Sequence, residues 1–395
     1  MFLAGFALAN LGAFVSFLPL LQILMPLKAT EIAPGSAPQL LGTIAAIGAA
    51  VAGCANFGFG WLSDGSRSRL GRRRPWIIGG ALGVVASYGL IWRAHSPLEL
   101  MLSFGVFQLA FNMLFAPLLA LIPDRVPTSG RGWVSALVAL GHPLGTAVGA
   151  TIIGTLFTRA PDRYLALALI VLVTIVPFAL RLGPDPSVAS IIVGARAPAR
   201  SQYQRSRNFA LGWIARACVM TAFSSSQIFL LFYVQRLVHG DTTLQAEHGV
   251  AILGVTFGVV SSAASLALGR ISDRTRRRKP FVVAGALTVC AGMLALAFAP
   301  SWPLAVVAYA LFALGAGCYT AVDFALMVEL LPSRDRAARD LGVLNVSNIV
   351  PQIAAPIVAT LILTLPGANI HWLFAAAGLA AALGAMLVGL MRAVR

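Results

Sequence analysis

Long apolar stretches alternate along this chain with short polar ones. Each apolar stretch holds roughly 17 to 25 residues, which is enough for a helix to cross the hydrocarbon core of a bilayer at about 1.5 Å per residue. We count twelve, with predicted bounds 2–26, 38–62, 75–94, 98–122, 133–157, 163–182, 208–236, 248–271, 280–299, 303–331, 342–365 and 370–391. The pattern predicts an all-α membrane protein with twelve transmembrane helices.

Composition agrees with this interpretation. Of 395 residues, 58% are hydrophobic and 11% are charged, whereas a soluble chain carries about 25% charged residues. The net charge of +16 comes from arginines in short loops between apolar stretches, so we interpret it as a topology signal and expect no nucleic-acid partner. The four cysteines stand singly in apolar stretches, and their spacing indicates neither a disulfide framework nor a metal site.

Two arginine-rich blocks organise the chain. They read DGSRSRLGRRRP at 64–75 and DRTRRRKP at 273–280, and each follows an even-numbered span. Because cytoplasmic loops carry the excess of Lys and Arg, we expect these loops and both termini to be cytoplasmic, in a bacterial-type inner membrane. The first apolar stretch is interpreted as a spanning helix and not as a signal peptide.

The two blocks also indicate an internal duplication. Asp64 and Asp273 stand 209 positions apart, and so do Pro123 and Pro332, which end the fourth and tenth spans. Two landmarks with one spacing predict two six-helix bundles related by a pseudo-two-fold axis. We predict an N-terminal bundle at 1–182, a cytoplasmic linker at 183–207 and a C-terminal bundle at 208–395.

The first block carries a resemblance to a known family. The stretch GWLSDGSRSRLGRRRPW at 60–76 resembles the loop motif G-x-x-x-D-(R/x)-x-G-R-R of the major facilitator superfamily. Its lengthened form is similar to that of the sucrose and glycoside cation-symporter branch. The resemblance implies a carrier that works by alternating access about a midplane site, without a cofactor and as a monomer.

The motif implies a gate at the cytoplasmic ends of the helices. In the superfamily the loop aspartate, here Asp64, faces the N-terminus of a helix in the other half, where free N–H groups favour an anion. Asp124 and Glu329, at helix ends, are predicted latch partners. The alternative is a purely topogenic signal. The gate residues are Gly60, Asp64, Arg67, Arg69, Gly71, Arg72 and Arg73 in the first copy, and Asp273, Arg274 and Arg277 in the second.

A few ionisable residues lie inside predicted spans, where a charge costs several kcal/mol unless it is paired or hydrated. Asp323 lies roughly 13 Å, and Arg216 roughly 12 Å, from the cytoplasmic end of its span. In the superfamily helices one, four, seven and ten line the central cavity, so the resemblance places both residues there. We hypothesise an ion pair that opens and closes with solute or proton. A static structural pair and a snorkelling arginine are the alternatives.

Uncharged polar residues supply further candidates. Hydrogen-bonding groups without charge suit a hydroxyl-rich solute, while interhelical hydrogen bonds and plain packing are the alternative roles. The predicted solute-binding residues are Asn10, Gln108, Asn112, Gln227, Tyr319, Asn345, Asn348 and Gln352.

The choice of coupling ion rests on two further sites. Sodium-coupled glycoside symporters carry paired aspartates on helix two, and the corresponding positions here are Ala55 and Val51. This difference favours proton coupling or uniport. His142 is a candidate proton carrier, with an interhelical hydrogen bond as the alternative. Its segment GHPLG resembles the helix-five motif of drug and proton antiporters, although histidine replaces the glycine before the proline.

No enzyme signature is present in the sequence. We therefore predict a secondary transporter that moves a small polar solute, such as a sugar or glycoside, with proton coupling. One alternative is a proton-driven efflux carrier for an amphipathic metabolite or drug. Another is a membrane factor with the same fold that helps assemble or deliver a pigment or lipid. The expected partners are a small solute, protons and membrane lipids.

Overall fold

The computed structural model describes residues 2–66, 68, 70–126, 131–183, 202–237, 245–275, 277–330, 337–367 and 369–391. Within these ranges the regular structure is helical throughout, and a helix covers the position of every predicted span. We number these helices α1 to α12, so that each number matches that of its predicted span.

Three of the helices have an internal break, and the others are continuous. The bounds are α1 Phe2–Pro19, continued by a π-helical turn Leu20–Leu24 and by Met25–Ile32; α2 Ala37–Gly65; α3 Arg74–Arg93; α4 Pro97–Arg125; α5 Arg131–Thr151, continued by a π-helical turn Ile152–Leu156; α6 Ala160–Thr174, continued by Val176–Leu180; α7 Gln202–Leu237; α8 Ala246–Thr275; α9 Lys279–Ala297; α10 Trp302–Glu329; α11 Ala337–Thr364; and α12 Ile370–Gly389.

The predicted all-α membrane fold is confirmed. Ten of the described helices are long and apolar enough to cross a bilayer. The other two, α5 and α11, lie where the fifth and eleventh spans were predicted. The chain is therefore an integral, multi-pass membrane protein.

Helix α1 extends further than its predicted end at residue 26. The prediction stopped at Pro26 because proline lacks an N–H group and usually interrupts a helix. In the structure a π-helical turn precedes this proline, and the N–H of Met25 donates to the carbonyl of Leu20. Proline is tolerated in the first turn of a helical segment, so the chain continues as a helix to Ile32.

The helices pack as two compact units. The first contains α1 to α6, and the second contains α7, α9 to α12 and most of α8, whose segment Val250–Val255 groups with the first unit. The predicted boundaries at 182 and 208 stay predictions.

Aromatic residues fill the interior of the first unit. On α4, Phe104, Phe107, Phe111 and Phe115 form a continuous stack in which neighbouring ring centroids lie 5.2–5.8 Å apart. Tyr88 of α3 is buried beside this stack and donates its hydroxyl to the carbonyl of Ser16 in α1, at 2.7 Å. The hydrogen bond ties α1 to α3 where no water is available to replace it.

Glycines allow α3 and α4 to approach closely. A Cβ atom at Gly80 would lie 2.5 Å from the backbone nitrogen of Leu114 and 2.8 Å from the carbonyl oxygen of Ala110. In the second unit, Gly292 of α9 lies in the same way against the backbone of Phe312 in α10. Small residues at such contacts let the backbones pack closely, which is a main source of helix association in membranes.

We expect Gly80→Ala to destabilise the first unit by about 1–3 kcal/mol, because backbone atoms cannot move aside as a flexible side chain can. The thermal unfolding temperature of the detergent-solubilised protein measures this loss. Gly89→Ala is the matched control on the same helix, since a Cβ there meets nothing within 4 Å. Equal unfolding temperatures for the two variants would contradict the packing argument.

Candidate functional site

The arginine-rich block ends in a network centred on Arg73, at the start of α3. Its guanidinium lies 2.5 Å from Asp64 Oδ1 and 2.9 Å from Asp124 Oδ2, and it donates to Ser63 Oγ at 2.6 Å. Arg73 is 4% exposed. One buried cation thus joins the ends of α2 and α4 to the start of α3, through the charge-assisted hydrogen bonds that are strongest in proteins.

Arg72 adds a second cation to this network, with its Nη2 lying 3.2 Å from Asp124 Oδ1. Asp124, a predicted latch partner, therefore bridges two neighbouring arginines. The described partner of Asp64 is Arg73 of its own unit. The expectation that Asp64 faces a helix N-terminus in the other half stays a prediction.

The two glycines of the motif have different surroundings. Gly71 has φ of 96°, a left-handed conformation that a residue with a side chain rarely adopts. A Cβ at Gly60 would meet nothing within 4 Å. Among the described residues there is therefore room for a side chain at this position. Arg67 and Arg69, which were also predicted here, lie outside the described residues.

The second copy of the block is more open. The side chains of Asp273, Arg274 and Arg277 are all exposed. Lys279, at the start of α9, donates to the carbonyls of Gly389 at 2.9 Å and Met391 at 2.7 Å. Lys279 thus satisfies carbonyls at the end of α12 that have no partner within that helix, so this basic group stabilises a helix end.

A buried charged pair inside the second unit joins α7 to α10. The guanidinium of Arg216 contacts the carboxylate of Asp323, and the two side chains are 11% and 4% exposed. The sequence hypothesis requires this contact, and the structure places the two groups together. A buried carboxylate with a cationic partner can change its charge when a proton arrives, which is the chemistry that coupling needs.

Tyr319 and Gln227 are also buried in the second unit. Tyr319 lies one helical turn before Asp323, and its hydroxyl has no hydrogen-bond partner among the described atoms. Gln227 of α7 is 8% exposed. Next to it, Ser226 donates to the hydroxyl of Tyr309 at 3.4 Å.

Two predicted amides of the first unit, Asn10 and Asn112, make hydrogen bonds between and within helices. Asn56 of α2 donates to Asn112 Oδ1 at 3.1 Å, while Asn112 donates to the carbonyl of Gln108 at 2.9 Å. Asn10 of α1 donates to the carbonyl of Val138 in α5 at 3.4 Å. Asn56 was missed by the sequence analysis, although an asparagine inside the second span was the available signal.

His142 belongs to an aromatic group at the contact of α1, α4 and α5. The ring of Phe14 lies 5.7 Å from His142 and 5.5 Å from Phe115, edge to face in both cases. A Cβ at Gly145 would lie 2.5 Å from Phe14 Cβ. The glycine of the GHPLG segment therefore lets α1 pack closely against α5.

The remaining candidates lie on α11. Gln352 is exposed. The side chains of Asn345 and Asn348 lie outside the described part of the chain.

These features define a polytopic helical membrane protein with an ion pair buried between α7 and α10 and a basic network at helix ends of the first unit. The sequence profile of the Major Facilitator Superfamily matches residues 1–255 and 241–395. The chain belongs to this superfamily, whose members are transporters and not enzymes. Its long apolar helices place it among membrane lipids.

One solved structure and one group of relatives give further comparisons. The chain is similar, with a TM-score of 0.70 and 14% identity, to a bacterial homologue of the human lysosomal transporter Spinster in an inward-facing and occupied conformation. That alignment covers 98% of this chain and 94% of the other, and it shows the fold alone. The multidrug resistance protein MdtL of Escherichia coli and of Escherichia fergusonii is 32% identical over 120 residues. That match spans 30% of this chain and 30% of each relative. The sucrose and glycoside branch is not confirmed.

We expect Arg73→Gln to lower the free energy of unfolding by about 2 kcal/mol. The substitution removes charge-assisted hydrogen bonds to Asp64 and Asp124, and the two carboxylates then repel each other without a cation between them. The measurement is thermal unfolding of the purified protein. Arg74→Gln is the matched control, since it removes the same charge from the next residue, which lies outside the described network. If both variants unfold at the same temperature, the net charge of the loop matters and the network does not.

Proposed function

We propose that this chain is a proton-coupled secondary transporter in which Asp323 carries the proton and Arg216 is its counter-ion. The observation that supports the proposal is their ion pair, which is buried between α7 and α10. Both helices line the central cavity in the superfamily that the chain belongs to.

The physical basis is the cost of an unpaired charge in a medium of low dielectric constant. While Asp323 is ionised, its carboxylate offsets the charge of Arg216 and stabilises the contact between the two helices. When Asp323 takes up a proton, the attraction is lost and Arg216 needs another anion or water. Protonation therefore favours a different arrangement of α7 and α10, and a conformational equilibrium of this kind links proton movement to alternating access.

For the solute, we propose an amphipathic compound that bears an aromatic ring or a positive charge, moved by efflux. Support comes from the rings of Phe14, Phe115 and His142, on helices that line or flank the solute path in the superfamily. Aromatic faces bind apolar rings and attract cations. The partial match to a relative named for multidrug resistance points the same way.

A polar solute such as a sugar is the second candidate. The amides of Asn56 and Asn112 favour it, because they are uncharged hydrogen-bonding groups inside a span. Their mutual hydrogen bond already satisfies part of their capacity, so a sugar hydroxyl would have to replace it. This competition is the reason why we prefer the amphipathic compound.

The coupling proposal predicts a specific defect. We expect Asp323→Asn to slow proton-driven accumulation at least about tenfold, because an amide cannot bind and release the proton. Exchange of solute across the membrane without a gradient should persist. Both rates are measured with purified protein in liposomes, using an imposed pH gradient and radiolabelled solute. Asp162→Asn, which alters an exposed aspartate at the start of α6, is the control.

Unchanged proton-driven accumulation by Asp323→Asn would remove the residue from the coupling role. Loss of gradient-free exchange as well would mean that Asp323 is needed for the fold or for solute binding. Saturable solute flux by the pure wild-type protein would exclude the alternative that this protein only helps to assemble or deliver a pigment or lipid.

The solute proposal predicts which probes bind. We expect the amphipathic cation ethidium to bind and Phe115→Ala to weaken its affinity by about two- to tenfold, as the loss of one aromatic contact implies. Phe298→Ala is the control, because Phe298 is a large exposed aromatic at the end of α9. Fluorescence titration of the purified protein measures the affinity. Binding of sucrose or maltose in place of ethidium would favour the polar candidate.

A further inference from the structure

A cavity of about 450 Å³ lies in the first unit, between the C-terminal ends of α1 and α3 and the N-terminal end of α6. The Arg73 network lies at the start of α3 and this cavity at its end, so about 30 Å of helix separates them. The cavity is thus at the opposite end of the unit from the arginine-rich block. Its size suits a small ligand or a head group.

Cations dominate the lining of this cavity. Lys28, Arg93 and Arg163 line it together with His95, and Glu31 is the acid among the lining residues. Lys28 Nζ lies 2.8 Å from Glu31 Oε1. One carboxylate against three permanent cations leaves the lining positively charged.

Two of these cations are deeply buried. Lys28 and Arg163 are each 6% exposed. Arg163 donates its Nε to the carbonyl of Phe157 at 2.7 Å, which fixes the side chain beside the first turn of α6. Burial of these two cations costs free energy that an anionic ligand would offset.

The position of Arg163 adds a second source of positive potential. Helix α6 begins at Ala160, which also lines the cavity. The first N–H groups of a helix have no partner within it, and the helix dipole makes this end favourable for an anion.

The rest of the lining is apolar or amphipathic. Leu24 and Leu27 of α1 form one wall, and Trp92 of α3 lies beside Arg93 with 43% of its surface exposed. Tryptophan and arginine at the end of a spanning helix are typical of the depth at which lipid head groups lie. An apolar wall next to cations suits a ligand with both an anionic and an apolar part.

We propose that this cavity binds a phosphate group, carried by the head group of an anionic phospholipid or by a free phosphorylated compound. The planar guanidinium groups of Arg93 and Arg163 match phosphate oxygens with paired hydrogen bonds, and Lys28 adds a point charge. The proposal is independent of the coupling role of Asp323.

The test uses the full-length protein in an uncharged detergent at constant ionic strength, because salt screens exposed cations. Thermal unfolding is followed with increasing dioleoyl phosphatidylglycerol, with dioleoylglycerol, which lacks the phosphate, and with inorganic phosphate. We expect the phospholipid, and not dioleoylglycerol, to raise the unfolding temperature. We expect Arg163→Gln to weaken the apparent affinity about tenfold, as the loss of a charge-assisted hydrogen bond implies.

Two further variants keep the result interpretable. Arg93→Gln removes a cation from the same cavity but leaves the bond between Arg163 and Phe157, so it tests the site even if Arg163→Gln fails to fold. Arg159→Gln is the control, because Arg159 is exposed one turn before Arg163 and does not line the cavity. We expect it to bind the phospholipid as the wild type does.

The outcomes separate the two sources and the failure of the proposal. Stabilisation by phosphatidylglycerol alone identifies a lipid head group, and stabilisation by inorganic phosphate as well identifies a site for free phosphate compounds. The proposal would be overturned if dioleoylglycerol stabilised the protein as much as phosphatidylglycerol does. It would also be overturned if Arg93→Gln and Arg159→Gln changed the apparent affinity for the phospholipid to the same extent. Absence of any stabilisation in the wild type would overturn it too.

Discussion

The cost of charge in hydrocarbon is the constraint on which this structure depends. A bilayer offers neither water nor a high dielectric constant, so an ionised side chain needs a partner or a place at a helix end. The basic network satisfies this condition at one end of the first unit, where Arg73 is held by two carboxylates. Inside the second unit, Arg216 and Asp323 satisfy it by pairing with each other. A charged group in this protein therefore either lies at the end of a helix or, like Arg216 and Asp323, is a candidate functional residue.

Hydropathy predicted the class of fold because the bilayer imposes one length and one polarity on every span. The ion pair could be expected from the sequence for the same reason, since Arg216 and Asp323 are the charged residues deepest in their spans. The π-helical turn before Pro26 was not predictable, because it depends on which carbonyl the N–H of Met25 finds. No periodicity in the sequence contains that information.

Contacts between distant parts of the chain could not be predicted from the sequence either. The partner of Asn112 is Asn56, and a span shows only that an amide is present, not which helix supplies its partner. The cationic cavity could not be predicted for the same reason. Lys28, Arg93 and Arg163 come from the ends of three helices, and in the sequence each looks like an ordinary boundary residue. Only packing makes them neighbours.

The duplication that the sequence predicts does not extend to the charged residues. At the shift of 209 that relates Pro123 to Pro332, the position of Asp323 on α10 corresponds to Leu114 on α4. Leu114 is wholly buried and packs against Gly80, whereas Asp323 pairs with Arg216. The Arg216–Asp323 pair thus belongs to the second unit, while the hydrogen-bonded Asn56 and Asn112 and the aromatic group around Phe14 belong to the first. In the proposed transporter the two units therefore have different tasks, with the aromatic group of the first unit proposed to bind the solute and the carboxylate of the second unit proposed to carry the proton.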